Sequence, residues 1–369
     1  MLSVLSVPSF QSELRVPPER YSSLMPHEAS RPAARAAASR PLIIGHRGAS
    51  GYRPEHSPSA YQLAFEQGVD AVEPDIVASL DGVLVVRHEN EISGTTDVAS
   101  HPEFADRRTT KVVDGVRLTG WFTEDFTWAE LQTLRCRERL PRLRAENTRF
   151  DGLEPILRLS EVLALIDEHQ RTWGTKVTAV VEIKHAHYYL GIGHDLGELL
   201  IAELEAAGWA DRKDHLIIES FELGVLDRLR AAGVNAQLVF LAESTGTPAD
   251  EVGFGKRARS WPWYRSDEGL DSLVGKVHGI SVAKADLLAF DVRGRPTGAT
   301  DLVQRAHERG LAVYTWTLRP ENAFLNVAHT RAGGKGAVGD WRTEWAQVLA
   351  TGVDGIFVDH PDLAREVLA

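Results

Sequence analysis

The sequence has a single cysteine, no long uninterrupted apolar run and no excess of positive charge. Because Cys136 is the one cysteine among 369 residues, an intrachain disulfide and a cysteine-based metal site are both excluded. No segment approaches the roughly 18 apolar residues that a membrane span needs, so we expect no stable membrane insertion. The net charge of -11 gives no electrostatic support to a nucleic-acid partner.

Residues 1–40 differ in composition from the rest of the chain. They are rich in Pro, Arg, Ala and Ser, and they show no amphipathic stripe. The opening MLSVLSVPSF lacks the charged start and the continuous apolar core of a signal peptide. We therefore predict a disordered leader over 1–40 and one folded domain over 41–369. The lack of a clear signal peptide predicts a cytoplasmic protein, or an exported one if the true start differs.

Eight short segments rich in β-branched residues follow the leader and alternate with helical patterns. The predicted strands are 41–46, 70–77, 177–184, 215–220, 237–242, 278–283, 311–317 and 354–359. Near-continuous apolar strands that alternate with helices favour a parallel sheet, and eight is the number that closes a (β/α)8 TIM barrel. A doubly wound open sheet is the structural alternative.

Two polar and irregular stretches interrupt the alternation. Residues about 89–150 predict a small insertion after the second strand and its hairpin. Residues about 243–276 form a second excursion, which contains the aromatic segment WPWY at 261–264. Long loops in a compact domain are usually either functional or disordered.

Charged side chains stand where the first three predicted strands end, and barrel enzymes carry their chemistry at that end. Residues two apart on an extended chain point to the same face, so the second and third strands each present two charges together. The six side chains are His46, Arg47, Glu73, Asp75, Glu182 and Lys184.

A hairpin is predicted to add a second histidine. Asp81-Gly82 is a strong signal for a two-residue turn. With that turn, Asp75 and His88 become direct cross-strand neighbours, whose Cβ atoms lie about 5 Å apart. Pro74 would break the next rung of the ladder and so separate the two strands there.

The combination of residue types indicates a chemistry. Three carboxylates at one barrel mouth form an oxygen-only cluster, which suits Ca²⁺ or Mg²⁺ better than zinc. The two histidines can transfer protons, and the arginine and lysine can bind an anion. Together these groups favour attack on a phosphate ester. Trp316, at a strand end, is either an apolar wall of the pocket or ordinary core.

The order and spacing of these motifs over residues 41–362 resemble the glycerophosphodiester phosphodiesterases, and in particular the branch that includes bacterial exported members. The motifs are His46-Arg47-Gly48, Pro54-Glu55-His56, Glu73-Pro74-Asp75, His88, Glu182-Ile183-Lys184, Ser220-Phe221, Trp316-Thr317 and Asp359-His360-Pro361. Glu89 stands where the family usually has Asp, and this change removes no expected catalytic side chain.

The resemblance implies metal-dependent hydrolysis of glycerophosphodiesters to sn-glycerol 3-phosphate and an alcohol. It implies that His46 and His88 act as acid and base, with Arg47 beside them. One divalent cation, Ca²⁺ or Mg²⁺, would be held by three carboxylates, and the substrate would be bound by four side chains. The expected metal ligands are Glu73, Asp75 and Glu182, and the expected substrate-binding residues are Arg47, Lys184, Glu55 and Trp316.

Two other functions remain as alternatives at this point. A barrel glycosidase could use Glu73 and Glu182 as its carboxylate pair, although His46, His88 and Arg47 would then have no role. A non-catalytic barrel could bind a phosphorylated ligand. In either case the expected partner is a small molecule, and the oligomeric state is left open.

The loop after the third strand contains three further histidines. His185, His187 and His194 could form a second metal site, or they could be ordinary polar loop residues.

Overall fold

The computed structural model of the protein describes residues 40–369. All but the last residue of the predicted leader lies outside the described residues. The strands are β1 Leu42–Gly45, β2 Ala71–Val72, β3 Asp75–Ala78, β4 Leu84–Val86, β5 Thr109–Val113, β6 Val116–Gly120, β7 Thr178–Ile183, β8 Leu216–Ser220, β9 Gln237–Ala242, β10 Gly279–Ala283, β11 Leu288–Phe290, β12 Pro296–Ala299, β13 Ala312–Leu318 and β14 Gly355–Val358.

Helices connect most of the central strands. They are α1 Pro58–Glu66, α2 Trp128–Leu131, α3 Leu159–Trp173, α4 Ala186–Gly191, α5 Leu196–Ala206, α6 Leu223–Ala231, α7 Ala249–Val252, α8 Trp261–Tyr264, α9 Asp267–Leu273, α10 Leu302–Glu308, α11 Trp341–Leu349 and α12 Pro361–Leu368. In the described part of the chain, no helix is both long enough and apolar enough to cross a membrane.

Eight parallel strands close into a barrel. They pair in the order β2, β1, β14, β13, β10, β9, β8, β7, and β2 also pairs with β7, which completes the circle. This closure confirms the predicted TIM barrel and excludes an open doubly wound sheet. Seven of the eight strands coincide closely with their predicted segments, because continuous apolar runs suit strands that are covered on both faces. The predicted strand 70–77 is instead divided into β2 and β3, with Glu73 and Pro74 between them.

Alternation along the strands divides the core into two layers. On β1, Ile44 packs inside the barrel with Phe357 and Val180, whereas Ile43 faces the surrounding helices. The inner cluster is small, and the outer cluster between strands and helices contains most of the buried apolar residues. The barrel interior is therefore filled, and the polar side chains are left to the strand ends.

The predicted two-residue turn after β3 is wrong. Ala78 pairs with Leu84 in the β3–β4 ladder, and the Ser79 amide donates to the Val83 carbonyl at 3.0 Å, so the loop has three residues, 80–82. Gly82 takes a φ of 78°, which is the left-handed position that commonly ends a three-residue hairpin loop. The Ser79 hydroxyl also accepts a hydrogen bond from the Val83 amide at 2.9 Å.

The longer loop shifts the register by one residue, so Asp75 and His88 are not cross-strand partners. The Arg87 amide instead donates to the Asp75 carbonyl at 3.0 Å. Because β4 ends at Val86, the chain leaves the ladder after Arg87. His88 therefore reaches the barrel mouth by a route other than strand pairing.

Residues 87–158, between β4 and α3, contain the β5–β6 hairpin, α2 and several short 3-10 helices. This part of the chain includes the predicted insertion, and it packs beside the carboxyl ends of the barrel strands. Two of its arginines, Arg139 and Arg144, contact residues at the barrel mouth.

Candidate active site

A cavity of about 480 Å³ opens at the carboxyl ends of the barrel strands. Most of the predicted site residues line it, which agrees with the position of chemistry in barrel enzymes. The predicted residues in its wall are His46, Arg47, Glu73, His88, Glu182, Lys184 and Trp316.

His46, which follows β1, is held by a carboxylate that follows the neighbouring strand β14. Its Nδ1 lies 2.6 Å from Oδ1 of Asp359, which directly follows β14. Oδ2 of Asp359 accepts from Arg144 at 2.6 Å and from Arg319 at 2.7 Å. Burial by itself would raise the pKa of Asp359, but the two arginines and His46 hold it well below its ordinary value. Asp359 is therefore an anion that accepts the Nδ1 proton of His46.

The second ring nitrogen of His46, Nε2, makes no hydrogen bond to the nearby Glu73. Nε2 lies 3.8 Å from Oε2 of Glu73 and is therefore beyond hydrogen-bond distance. Burial and the charge of Arg47 lower the pKa of His46 to about 3, and Asp359 opposes only part of that shift. At neutral pH the ring is uncharged, with its proton on Nδ1 and a lone pair on Nε2.

His88 is held by the residue that follows it. Its Nδ1 contacts Oε1 of Glu89. Arg139 bridges Glu89 to Glu55, with its Nη2 2.5 Å from Glu89 Oε2 and 2.6 Å from Glu55 Oε1. Burial, Arg47 and Lys184 lower the pKa of His88 well below its ordinary value. Its side chain is 29% exposed, which makes it more accessible than His46.

Arg47 connects several carboxylates. Its Nη1 donates to Glu55 at 3.1 Å, its Nε lies 3.3 Å from Oδ2 of Asp75, and its backbone amide donates to Glu73 at 3.2 Å. The residue adopts a φ of 60°, a left-handed conformation that is unusual for a residue with a Cβ. The contacts around Arg47 hold that conformation and fix the guanidinium in the cavity wall.

Three buried carboxylates come together beside these groups. Ligand oxygens of Glu73, Glu182 and Glu219 all lie within 4.8 Å of one another. Burial and mutual repulsion raise the pKa of Glu73 and of Glu219 well above the ordinary value. Burial raises the pKa of Glu182 to about 7 even though Lys184 Nζ lies 2.5 Å from its Oε1. A bound cation would offset the repulsion among these three carboxylates.

Asp75 lies beside this group but is not one of its three members. Its Oδ2 is 3.0 Å from Nε2 of His56, and its Oδ1 is buried and has no hydrogen-bond partner among the described residues. Burial would raise the pKa of Asp75, but Lys184, His56 and Arg47 hold it well below its ordinary value. The metal-ligand role expected for Asp75 stays a prediction.

An aromatic surface forms the far wall of the cavity. Phe221 contacts Trp261 and Trp316 edge to face, with ring centroids 6.0 and 5.7 Å apart. Trp316 lines the pocket, and it also packs against the apolar core inside the barrel.

Comparison of the sequence with known protein families identifies the family of this chain. Residues 46–363 match the family described as the glycerophosphoryl diester phosphodiesterase family. The chain belongs to this family. It is therefore an enzyme, a phosphoric diester hydrolase that acts on glycerophosphodiesters. The family match favours this activity over the glycosidase and the non-catalytic binder.

Individual glycerophosphodiester phosphodiesterases are also similar to this chain over most of its length. A glycerophosphodiester phosphodiesterase of Arabidopsis thaliana is 31% identical over 335 residues, which cover 87% of this chain and 84% of that protein. One from Haemophilus influenzae is 25% identical over 351 residues, which cover 89% of each chain.

Solved structures share the barrel fold. An Oleispira antarctica phosphodiesterase, determined in complex with its product sn-glycerol 3-phosphate, superposes with a TM-score of 0.56 at 18% identity and covers 89% of this chain and 97% of its own. A glycerophosphodiester phosphodiesterase from Agrobacterium tumefaciens gives a TM-score of 0.52 at 20% identity, with 88% and 98% covered.

Several residues of this phosphodiesterase site were not expected from the sequence as site residues. Glu219 ends an apolar run in the same way as Glu182, so the same signal was available for it. The arginines of the insertion carried no such signal, because nothing local shows which loop residues fold back onto the barrel. His56, Glu89 and Asp359 were named in the sequence motifs without a role in the site. The residues that were not singled out at all are Arg139, Arg144, Glu219 and Arg319.

The three loop histidines do not come together. His185 Nδ1 lies 2.5 Å from Oδ2 of Asp114, and His194 makes an edge contact with Tyr189. Among residues 40–369, the one group of three suitable ligand side chains is the three glutamates described above.

Proposed function

We propose that the protein hydrolyses glycerophosphodiesters with His46 as general base and His88 as general acid, beside a divalent cation held by buried carboxylates. The observation that carries the proposal is the convergence of both histidines, Arg47, Lys184 and two carboxylates of the buried glutamate group on one cavity. The products would be sn-glycerol 3-phosphate and a free alcohol.

The phosphate would lie against Arg47 and Lys184. Both cations line the cavity, and both are already balanced by buried carboxylates, which fix their positions. A phosphodiester carries one negative charge, so it fits between these cations. Arg47 would hold the non-bridging oxygens through charge-assisted hydrogen bonds.

The carboxylates fit a divalent cation. Both side-chain oxygens of Glu219 and Oδ1 of Asp75 are buried without hydrogen-bond partners among the described residues, and like charges this close repel one another. An all-oxygen donor set suits Ca²⁺ or Mg²⁺. Glu73, Glu182 and Glu219 would hold the ion, with Asp75 as a further candidate. When bound, it would polarise the phosphoryl oxygen and stabilise negative charge in the transition state.

His46 is suited to the role of base. Asp359 fixes the tautomer whose lone pair is on Nε2, the nitrogen on the side of Glu73. Because the pKa of His46 is low, the ring is unprotonated when substrate arrives. As Nε2 takes up a proton, Asp359 stabilises the imidazolium that forms.

His88 is suited to the role of acid once substrate is bound. After burial, the main causes of its low pKa are the charges of Arg47 and Lys184. A phosphodiester between those two side chains would offset their charge and let the pKa of His88 rise. Its contact with Glu89 would then stabilise the protonated ring, which could give its proton to the leaving alcohol.

The test is release of glycerol 3-phosphate from glycerophosphodiesters by the full chain with Ca²⁺ or Mg²⁺. We expect His46→Ala and His88→Ala each to lose at least about 10²-fold in kcat, the usual contribution of a positioned acid or base. His215→Ala is the matched control, because His215 precedes β8 at the opposite end of the barrel. Near-normal kcat in either active-site variant would contradict its assigned role.

A further inference from the structure

Large apolar side chains are exposed on one side of the barrel mouth. They lie on three elements, which are the turn end of the β5–β6 hairpin, the carboxyl end of α4 and the segment at the end of α7. Each of these side chains is between 45% and 63% exposed. The six, which we call the rim patch, are Val112, Val116, Leu190, Ile192, Val252 and Phe254.

Contacts between the three elements bring the rim patch together beside the active-site cavity. His185, the residue before α4, has its Nδ1 2.5 Å from Oδ2 of Asp114 in the hairpin turn. Helix α4 in turn lies against α7. Asp114, His185 and Val252 all line the cavity, so the rim patch borders its opening. An exposed apolar patch that is bordered by polar residues commonly marks a site that binds a protein or a membrane.

Cationic side chains are interleaved with the rim patch. The segment 252–259, VGFGKRAR, carries three of them and no acidic residue. A fourth is the direct cross-strand partner of Val112 on the hairpin. The four exposed cations are Arg117, Lys256, Arg257 and Arg259. Among residues 40–369, none of these four side chains forms an ion pair.

The acidic side chains of the same elements are already engaged. The carboxylate in the hairpin turn contacts His185. On α7, Asp250 accepts a hydrogen bond from the Gly224 amide at 2.8 Å, and Glu251 accepts one from the Tyr264 hydroxyl at 2.7 Å. The unpaired charge at the rim patch is therefore positive, although the whole chain has a net charge of -11.

An anionic lipid surface matches this combination of side chains. Apolar side chains on projecting turns enter the boundary between headgroups and acyl chains, and lysine and arginine contact anionic headgroups. The core of a protein interface is usually depleted of charged residues, whereas here cations alternate with the apolar side chains. A two-fold dimer matches less well, because its interface would set the same cations of both copies against one another.

We propose that the rim patch docks the barrel mouth reversibly on an anionic lipid surface, with Phe254 as the main apolar contact and Lys256 and Arg257 as the main charged contacts. A glycerophosphodiester is a glycerophospholipid that has lost its acyl chains, so the class of reaction that supplies the substrate is ester hydrolysis at a bilayer. Docking would hold the cavity opening where that product is released. The inference does not depend on the catalytic roles assigned within the cavity.

Vesicle flotation of the full chain tests the docking surface. We expect wild type to bind vesicles of phosphatidylcholine with phosphatidylglycerol at least about tenfold more tightly than vesicles of phosphatidylcholine alone. Phe254→Ser should weaken binding to the anionic vesicles by at least about tenfold, because it removes a phenylalanine that enters the interface. The double variant Lys256→Gln, Arg257→Gln should weaken it roughly 25-fold, about fivefold for each cation.

Matched controls come from the opposite end of the barrel. Trp173→Ser removes a large exposed side chain at the end of α3. The double variant Arg171→Gln, Lys176→Gln removes two exposed cations from the segment that precedes β7. Both controls should bind the anionic vesicles as wild type does. Thermal unfolding of each variant confirms that it is folded.

Three results would overturn the proposal. The first is wild type that binds anionic vesicles no better than neutral ones, and the second is unchanged binding in the Phe254 and Lys256, Arg257 variants. The third is a dimer in sedimentation equilibrium that Phe254→Ser dissociates while no vesicle binding occurs, because the rim patch would then be a protein interface. Vesicle binding is measured without turnover, so its outcome is separate from the success or failure of the proposed function.

Discussion

Glu182 on β7 and Glu219 on β8 are direct partners in the parallel register of the barrel. Asp75 on β3 is the register partner of Glu182 on its other side. Three acidic residues therefore occupy adjacent positions on three neighbouring strands at one level of the barrel. Such a row is stable only if cations face it, and Lys184 and Arg47 supply part of that charge.

Replacement of Glu219 should weaken metal binding. Glu219→Gln removes one carboxylate from the group whose oxygens lie within 4.8 Å, and an amide oxygen is a weaker ligand for a hard cation. Isothermal titration of Ca²⁺ into the metal-stripped protein should show an affinity at least about tenfold lower than in wild type. An affinity equal to that of the surface control Glu205→Gln would exclude Glu219 as a ligand.

Asp359→Asn should impair the base without disturbing the barrel. The amide cannot stabilise the imidazolium of His46, and it can favour the wrong tautomer by donating to Nδ1. We expect kcat to fall by at least about 10²-fold. Asp362→Asn is the control, because that carboxylate lies three residues later and bonds the Tyr52 hydroxyl. If both variants kept wild-type kcat, Asp359 would have no part in positioning His46.

Much of the fold follows from the sequence because continuous apolar strands alternate with helices. The ends of those strands also indicated the positions of His46, Arg47, Glu73, Glu182 and Lys184 at the cavity. The hairpin register was wrong because the dipeptide Asp-Gly fits both a two-residue turn and a longer loop. In this chain the Ser79 hydroxyl accepts a hydrogen bond across the three-residue loop. The Asp-Gly dipeptide alone does not indicate which of the two loop lengths forms.

The parts of the site that depend on distant chain segments were not predictable in the same way. Arg144 reaches Asp359 across 215 positions of sequence, and Arg139 reaches Glu55 across 84. A surface arginine and a buried bridging arginine have the same local sequence signal. The difference lies in tertiary packing, which a single sequence does not display.

The three-residue loop predicts a specific role for Gly82. Gly82→Ala places a Cβ at a φ of 78°, and this should lower the free energy of unfolding by about 1 kcal/mol. Gly94→Ala is the control, since no atom lies within 4 Å of the added Cβ and its φ is ordinary. Urea unfolding of both variants measures the difference. Equal stabilities would argue against the left-handed position.

Glu222 predicts a pH-dependent contribution to stability. Its pKa of about 8, set by burial, Asp114 and Asp250, exceeds the ordinary 4.5, so between those values the folded state keeps a proton that the unfolded chain releases. The contribution is fully present below pH 4.5 and is lost as pH rises through 8, by up to about 1.4 kcal/mol per pH unit. Urea unfolding at pH 5, 6.5 and 8 should therefore show wild type losing stability relative to Glu222→Gln. A constant difference would contradict the shifted pKa.

The most direct measurement of the central claim is glycerophosphodiester hydrolysis by metal-stripped protein. The account predicts no glycerol 3-phosphate release while a chelator is present, because Glu73, Glu182 and Glu219 then repel one another and no cation stabilises charge on the phosphate. Addition of excess Ca²⁺ or Mg²⁺ should restore turnover. Full activity of the metal-free protein would contradict the account.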